Sequence, residues 1–197
     1  MPVKMSPRTH KQFEEIRESK KELIRSKALK LFARDGYYTT SISKIASEAN
    51  ISKGLIYNYY ESKEQLLKDI IFSGMKKLTG LADPDHDGIM TGEELLNMLN
   101  IIKDMFQRDR RFWTLYFSIL PQPSVMKIVK DEIDEMYKNM VGMFTEYFRR
   151  EGYDDPEAEA QILVSLLDGI SFSYLYKPHS YPIDKVINRI IQLYSKK

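Results

Sequence analysis

Apolar residues recur at three- and four-residue intervals along almost the whole chain, a spacing that predicts helices throughout. Ile24, Ala28, Leu31 and Phe32 fall at i, i+4, i+7 and i+8 and give a first helix, over about Phe13 to Arg34, one apolar face. Gly36 stops it. A short helix follows over about Ile42 to Ala49, with Thr40 or Ser41 capping its exposed amides. Asn50, which tolerates the left-handed conformation of a tight turn, ends it. A third helix covers about Ser52 to Asn58, and a fourth starts near Ser62, where Ser62 and Gln65 fit a capping box. Beyond Gly80 the spacing predicts helices over about Glu93–Arg108, Arg110–Leu120, Ser124–Glu151, Pro156–Tyr176 and Ile183–Ser195. No segment alternates apolar and polar residues long enough to argue for a sheet, so the expected fold class is all-α.

Composition narrows the function classes. At 197 residues, 43% hydrophobic and 29% charged, the chain is ordinary for a soluble globular protein. It has no cysteine, which excludes disulfides and thiolate metal sites. The N-terminal stretch "MPVKMSPRTHKQFEE" has no apolar run resembling a signal peptide, and no stretch approaches the roughly 18 apolar residues a bilayer requires. The expectation is a cytoplasmic protein with no membrane partner. His10, His86 and His179 are scattered and no glycine-rich phosphate loop appears, which speaks against an enzyme. Net charge is only +2, but residues 1–77 carry 16 Lys/Arg against 9 Asp/Glu while residues 78–197 are net acidic. A basic front suits a polyanionic partner.

In that front, "ISKIASEANISKGLIYNYY" has the layout of a helix-turn-helix. Ile42, Ile45, Ala46 and Ala49 bury the supporting helix, Ile51 fills the turn, and Leu55 or Ile56 anchors the second helix. Ser52, Lys53, Gly54, Tyr57, Asn58 and Tyr59 are left outward, a set of hydroxyls, cation and amide that suits phosphates and groove edges. The longer segment "LFARDGYYTTSISKIASEANISKGLIYNYYESKEQLL" resembles the DNA-binding domain of TetR-family (tetracycline-repressor-like) regulators. Its Gly36-Tyr37, Thr39-Thr40, Ile45-Ala46, Ser52-Lys53-Gly54, Tyr57-Asn58-Tyr59-Tyr60 and Ser62-Lys63-Glu64-Gln65-Leu66 carry the resemblance, with Asn50 where the family commonly has Gly.

The resemblance implies a double-stranded DNA operator as partner. It places Thr40 at a phosphate with Ser41 in the DNA-binding set beside it, Ser52, Lys53, Gly54 and Leu55 at or in the major groove, Tyr57 and Tyr59 at phosphates or base edges, and Asn58 at a base. Lys63, at the start of the fourth helix, would hold a further phosphate. Tyr60 is read as packing. The resemblance covers about the first third of the chain; the rest matches in being helical and of similar length.

One helix-turn-helix meets few base pairs, so two copies usually bind adjacent half-sites. TetR-like proteins pair through their last two long helices, and the corresponding segments here offer Ile162, Leu166, Gly169, Ile170, Tyr174, Ile187 and Ile191 as a homodimer seam. The alternative is that these helices simply close the monomer core. The middle helices are rich in methionine and aromatics, suited to an adaptable apolar pocket. Met105, Trp113, Tyr116, Phe117, Met140, Phe144 and Phe172 are candidates to line a site for an unidentified apolar or aromatic small-molecule inducer; core packing is the competing reading of each.

Between front and rear lies "DPDHDGIMTGEE", residues 83–94, which satisfies the EF-hand calcium-loop spacing D-x-[DN]-x-[DN]-G-x5-E. Asp83, Asp85, Asp87, the Ile89 carbonyl, Thr91 and Glu94 would supply oxygens to Ca2+, with Gly88 making the bend and His86 pointing away. No second such loop is present, and Pro84 stiffens the entry; an Asp-rich helix connection is the plainer reading. The chain thus divides, on expectation, into a helix-turn-helix domain (1–62), a linking helix (63–82), the acidic loop (83–94) and a ligand-binding and dimerisation domain (95–197). The function expected is a dimeric regulator, most simply a repressor released by an inducer. The alternatives are a calcium-responsive signalling protein and a TetR-like activator without an inducer.

Overall fold

The computed structural model describes residues 10–85, 87–177 and 179–194. They form an all-α architecture: α1 (His10–Asp35), α2 (Ile42–Glu48), α3 (Lys53–Tyr57), α4 (Lys63–Ala82), α5 (Gly92–Arg108), α6 (Arg110–Ile119), α7 (Pro123–Arg150), α8 (Pro156–Tyr176) and α9 (Ile183–Tyr194). The expected helices appear within a few residues of their expected ends, because the sequence states its stops and starts locally. Gly36 leaves α1 at φ +87°, Gly152 leaves α7 at +74°, and Asn50 takes φ +52° between α2 and α3. Proline opens α7 and α8, where the missing N–H would have had no partner.

The chain splits into two compact units, one ending at Ile70 and the other beginning at Ile71, so the division falls inside α4 rather than at either end of it. In the first unit α1, α2 and α3 pack around Ile24, Leu31, Phe32, Ile45 and Ile56, all fully buried. Arg25 bridges Glu18, Glu22 and Asp69 at 2.5, 2.9 and 3.2 Å, tying α1 to α4 within this unit. In the second unit α7 lies along α8, α5 along α9, and α6 against both α5 and α8. Its centre is aromatic. Phe106, Trp113, Tyr116 and Phe144 are at most 1% exposed. The Tyr116 hydroxyl donates to the Ile71 carbonyl at 3.0 Å, and its ring lies where a β-carbon on Gly74 would stand, 2.2 Å away. Only glycine permits that approach.

Among the described residues no helix is long and apolar enough to cross a membrane.

Candidate nucleic-acid interface and acidic loop

The supporting helix α2 begins at Ser41, whose hydroxyl accepts from the Lys44 N–H at 3.2 Å. Ser52 caps α3 in the same way, accepting from the Leu55 N–H at 3.1 Å. Ile56 is fully buried and is the residue that anchors α3, while Leu55 stays partly open. The helix is therefore pinned by one side and one cap, and its other side faces solvent. Ser52, Lys53, Gly54, Tyr57 and Asn58 are all exposed, Tyr57 by 46%. The Lys53 ammonium lies 5.8 Å from the centre of the Tyr57 ring, so cation and phenol form one surface feature. Tyr59 is half-buried beneath the Arg17 guanidinium, 5.5 Å from its ring centre. Arg17 was not singled out by the sequence; 42 residues separate the pair, and no local pattern announces it.

Two expected phosphate contacts are corrected by the geometry. Thr40 is fully buried, and its hydroxyl donates inward to the Gly36 carbonyl at 2.9 Å and the Leu31 carbonyl at 3.3 Å. It holds the α1–α2 turn closed, and the exposed Ser41 beside it is the cap. Lys63 is also turned inward. Its ammonium donates to the carbonyls of Tyr37 (2.8 Å), Thr40 (2.9 Å) and Tyr38 (3.4 Å) and sits 4.3 Å above the Tyr37 ring. Three donors meet three carbonyls, so none is left over for a phosphate. Burial pushes this ammonium below the ordinary lysine range. Tyr60 packs, as expected: it is 3% exposed and donates to Asp69 at 2.6 Å. Burial, followed by that hydrogen bond, raises its hydroxyl far above the usual tyrosine value.

The residues expected to line one pocket are not brought together. Trp113, Tyr116 and Phe144 are core. Met105 and Trp113 border one cavity of about 540 Å³, beside Lys77 and Leu81, and Met140 borders another. Phe117 packs against Phe106 and Trp113. Phe172 stands outside on α8, 69% exposed and stacked on Tyr176 at 5.9 Å. The expected seam divides likewise. Ile162, Leu166 and Gly169 are exposed on α8, whereas Ile170, Tyr174 and Ile187 are buried within the unit and Ile191 is half-buried. The open apolar stripe runs through Ile162, Leu166 and Gly169 to Phe172 and Tyr176.

In the acidic loop Gly88 takes φ +76°. The carboxylates then fold back on the backbone: Asp83 accepts from the Gly88 N–H (3.3 Å), Asp85 from Asp87 (3.3 Å) and Asp87 from Ile89 (2.7 Å). One oxygen from each of Asp83, Asp85 and Asp87 lies within 4.8 Å of the others. Asp83 Oδ1 is buried without a hydrogen-bond partner. The expected outward His86 lies outside the described residues.

Glu94 departs from expectation. Its Oε2 accepts from the Thr91 N–H (2.8 Å) and hydroxyl (2.7 Å), while its own N–H donates to the Thr91 hydroxyl (3.2 Å). Thr91 and Glu94 are the capping box of α5, and Glu94 does not close the aspartate cluster. Met90, at the loop's eighth place, is 1% exposed, and its carbonyl accepts from Arg150 at the end of α7. The Thr91 hydroxyl, and after it the Thr91 N–H, hold the carboxyl of Glu94 below the usual glutamate range. A depressed folded-state value adds stability above the ordinary glutamate pKa, and that stability is lost as pH falls through the depressed one. Thr91→Ala is therefore expected to move the acid-unfolding limb of the protein to higher pH, as followed by circular dichroism; an unmoved limb contradicts the capping role.

Residues 24–70 match the family described as bacterial regulatory proteins, tetR family. The chain is 50% identical over 54 residues to the HTH-type transcriptional regulator YuxN of Bacillus subtilis, a match covering 27% of this chain and 19% of that protein. Such short matches span well under two thirds of the relatives concerned. The chain is also 27% identical over 192 residues to the HTH-type transcriptional regulator YhgD of Bacillus subtilis, covering 89% of this chain and 94% of that one. Its fold is similar to that of FadR from Bacillus subtilis, solved with stearoyl-CoA, at 18% identity and a TM-score of 0.67 over 88% of this chain and 96% of that one. These relatives are transcriptional regulators rather than enzymes. The tetR-family match lies in residues 24–70, and the likeness over the rest of the chain is one of fold.

Proposed function

We propose that this TetR-like regulator works as a homodimer that reads a two-fold-symmetric duplex through α3 and leaves it when a small molecule enters the C-terminal unit. The observation that carries the reading is the exposed α3 face. Ser52, Lys53, Gly54, Tyr57 and Asn58 stand open on a helix whose opposite side is pinned by Ile56. Gly54 meets nothing but the Ser52 hydroxyl at 4.0 Å where a β-carbon would project, so the backbone there can approach a groove closely. Ser41 and Arg17 flank that face as backbone-positioning contacts.

Pairing is supported by the apolar stripe on α8, where Phe172 and Tyr176 are 69% and 72% exposed. Large aromatics so placed are rarely left to water on a soluble surface. A fold neighbour solved with stearoyl-CoA supports a small-molecule ligand. Helix α4, which carries residues of both units, is the element through which the ligand acts. The simplest regulatory sense is repression, since a protein seated on an operator excludes polymerase.

The acidic loop belongs to this reading as a cation site. Asp83, Asp85 and Asp87 would hold Ca2+, with the Ile89 carbonyl as a further oxygen, while Thr91 and Glu94 stay engaged in the α5 capping box. The ion would neutralise three clustered carboxylates beside the end of α4.

Selection of bound sequences from a random duplex pool, with calcium and with chelator, tests the whole reading. An inverted repeat with half-sites about one helical turn apart is expected. A pool that stays random in both conditions overturns the regulator. A repeat enriched equally in both removes calcium from the account.

A further inference from the structure

The acidic rear of the chain has a specific local expression. One face of α4 and one face of α7 leave between them a groove of about 780 Å³, within the C-terminal unit. That volume suits a drug-sized molecule. Its floor is methionine: Met75 from α4, and Met136, Met140 and Met143 from α7 at helical spacing. Unbranched thioethers reshape around varied apolar bodies and contact aromatic rings favourably. Phe72, 39% exposed, adds an aromatic face.

The charges around that floor are uneven. Asp83, Glu132 and Glu135 line the groove against a single cation, Lys76. With no metal cation in the acidic loop, as under chelator, three carboxylates and one ammonium give the lining a formal charge of −2. Asp83 sits where α4 ends, and its Oδ1 is the buried oxygen with no hydrogen-bond partner. An anionic ligand would meet repulsion along the α7 wall and at Asp83. A cation meets Glu132 and Glu135 from α7 and Asp83 just beyond α4, over soft sulfur and an aromatic face, all of which favour positive charge.

We propose that this groove binds organic cations: molecules with an aromatic or aliphatic body of drug size and a permanent positive charge that the body shields from strong hydration. The body lies on the methionines, and the charge lies toward Asp83, Glu132 and Glu135. The inference rests on the reading of the C-terminal unit as the ligand-sensing part, and it names the ligand class.

Two ions of nearly the same shape and opposite charge separate this from plain apolar burial. Tetraphenylphosphonium and tetraphenylborate are titrated calorimetrically into the full chain. The cation is expected to bind tighter than the anion by on the order of tenfold or more. Glu132→Gln combined with Glu135→Gln should erase most of that preference. Asn139→Lys, a change at an exposed groove position, should weaken the cation on its own. Equal or tighter binding of tetraphenylborate overturns the proposal, as does full cation affinity in both variants. Operator binding is measured separately: its absence sinks the regulator reading and leaves the titration intact, whereas loss of cation preference sinks the groove and leaves operator binding intact.

Discussion

Trp113→Ala is expected to lower the unfolding free energy of the C-terminal unit by about 3–5 kcal/mol. Trp113 is 1% exposed and is the chain's only tryptophan. Its ring meets Phe112 at 5.0 Å, Tyr116 at 5.5 Å and Phe106 at 5.6 Å, each edge to face, and Phe117 at 6.0 Å. Truncation removes the largest buried side chain and leaves four rings bordering a void too rigid to collapse. Tyr116 is held by its hydrogen bond to Ile71 and by the close approach of Gly74, so it cannot swing in. Urea unfolding followed by far-ultraviolet circular dichroism measures the loss. A change below about 1 kcal/mol would place Trp113 outside the core and contradict the packing described.

Lys53→Ala is expected to weaken duplex binding by roughly tenfold per reading head and to flatten its salt dependence by about one unit per head. The folded protein should not register the change. Lys53 is exposed, lies in the first turn of α3 after the Ser52 cap, and has its ammonium over the exposed Tyr57 ring. Its ammonium is therefore free to replace counterions at a phosphate, which is where the salt dependence originates. Lys63 makes the contrast. It is the same residue type in the same unit, yet its three donors are held by backbone carbonyls, so its removal should act on the α1–α2 turn. Fluorescence anisotropy with the selected operator measures the Lys53 effect, and unchanged affinity removes Lys53 from the contact set.

The difference between these two lysines shows what the sequence could and could not carry. Helix ends were legible because they are written in adjacent residues: Ser41 and Ser52 as caps, Asn50 and Gly36 as stops, Pro123 and Pro156 as starts. The exposed face of α3 was legible too, because burial of Ile45, Ala46 and Ile56 fixes which residues point outward. Thr40 and Lys63 were misplaced because each acts on partners 4 to 26 residues away, across a turn whose path no periodicity describes. Periodicity also says which face of a helix is apolar, but not whether that face meets its own chain or solvent. Tyr174 and Phe172 lie two residues apart on α8, one buried and the other open, and only packing against α6, α7 and α9 separates them. In the acidic loop, the turn at Gly88 and the approach of three aspartates follow from spacing, while the attachment of Glu94 to Thr91 competes with the role that spacing assigns it.

The groove between α4 and α7 escaped the sequence for a related reason. Met140 was singled out beside Trp113, Tyr116 and Phe144, which fill the core, and Asp83 as a calcium ligand, whereas no spacing sets Glu132 and Glu135 apart from other charged helix residues. Three acids from two segments meet only in the folded unit.

The account's central claim is that α3 enters a DNA groove and that phosphate contacts hold it there. Equilibrium binding of the full chain to its selected duplex, measured across a salt series from low to physiological ionic strength, tests this most directly. The account predicts binding whose logarithm falls linearly with the logarithm of salt, with a slope of several units for a dimer engaging phosphates through both heads. Absence of binding at the lowest salt, or an affinity indifferent to salt, would contradict it.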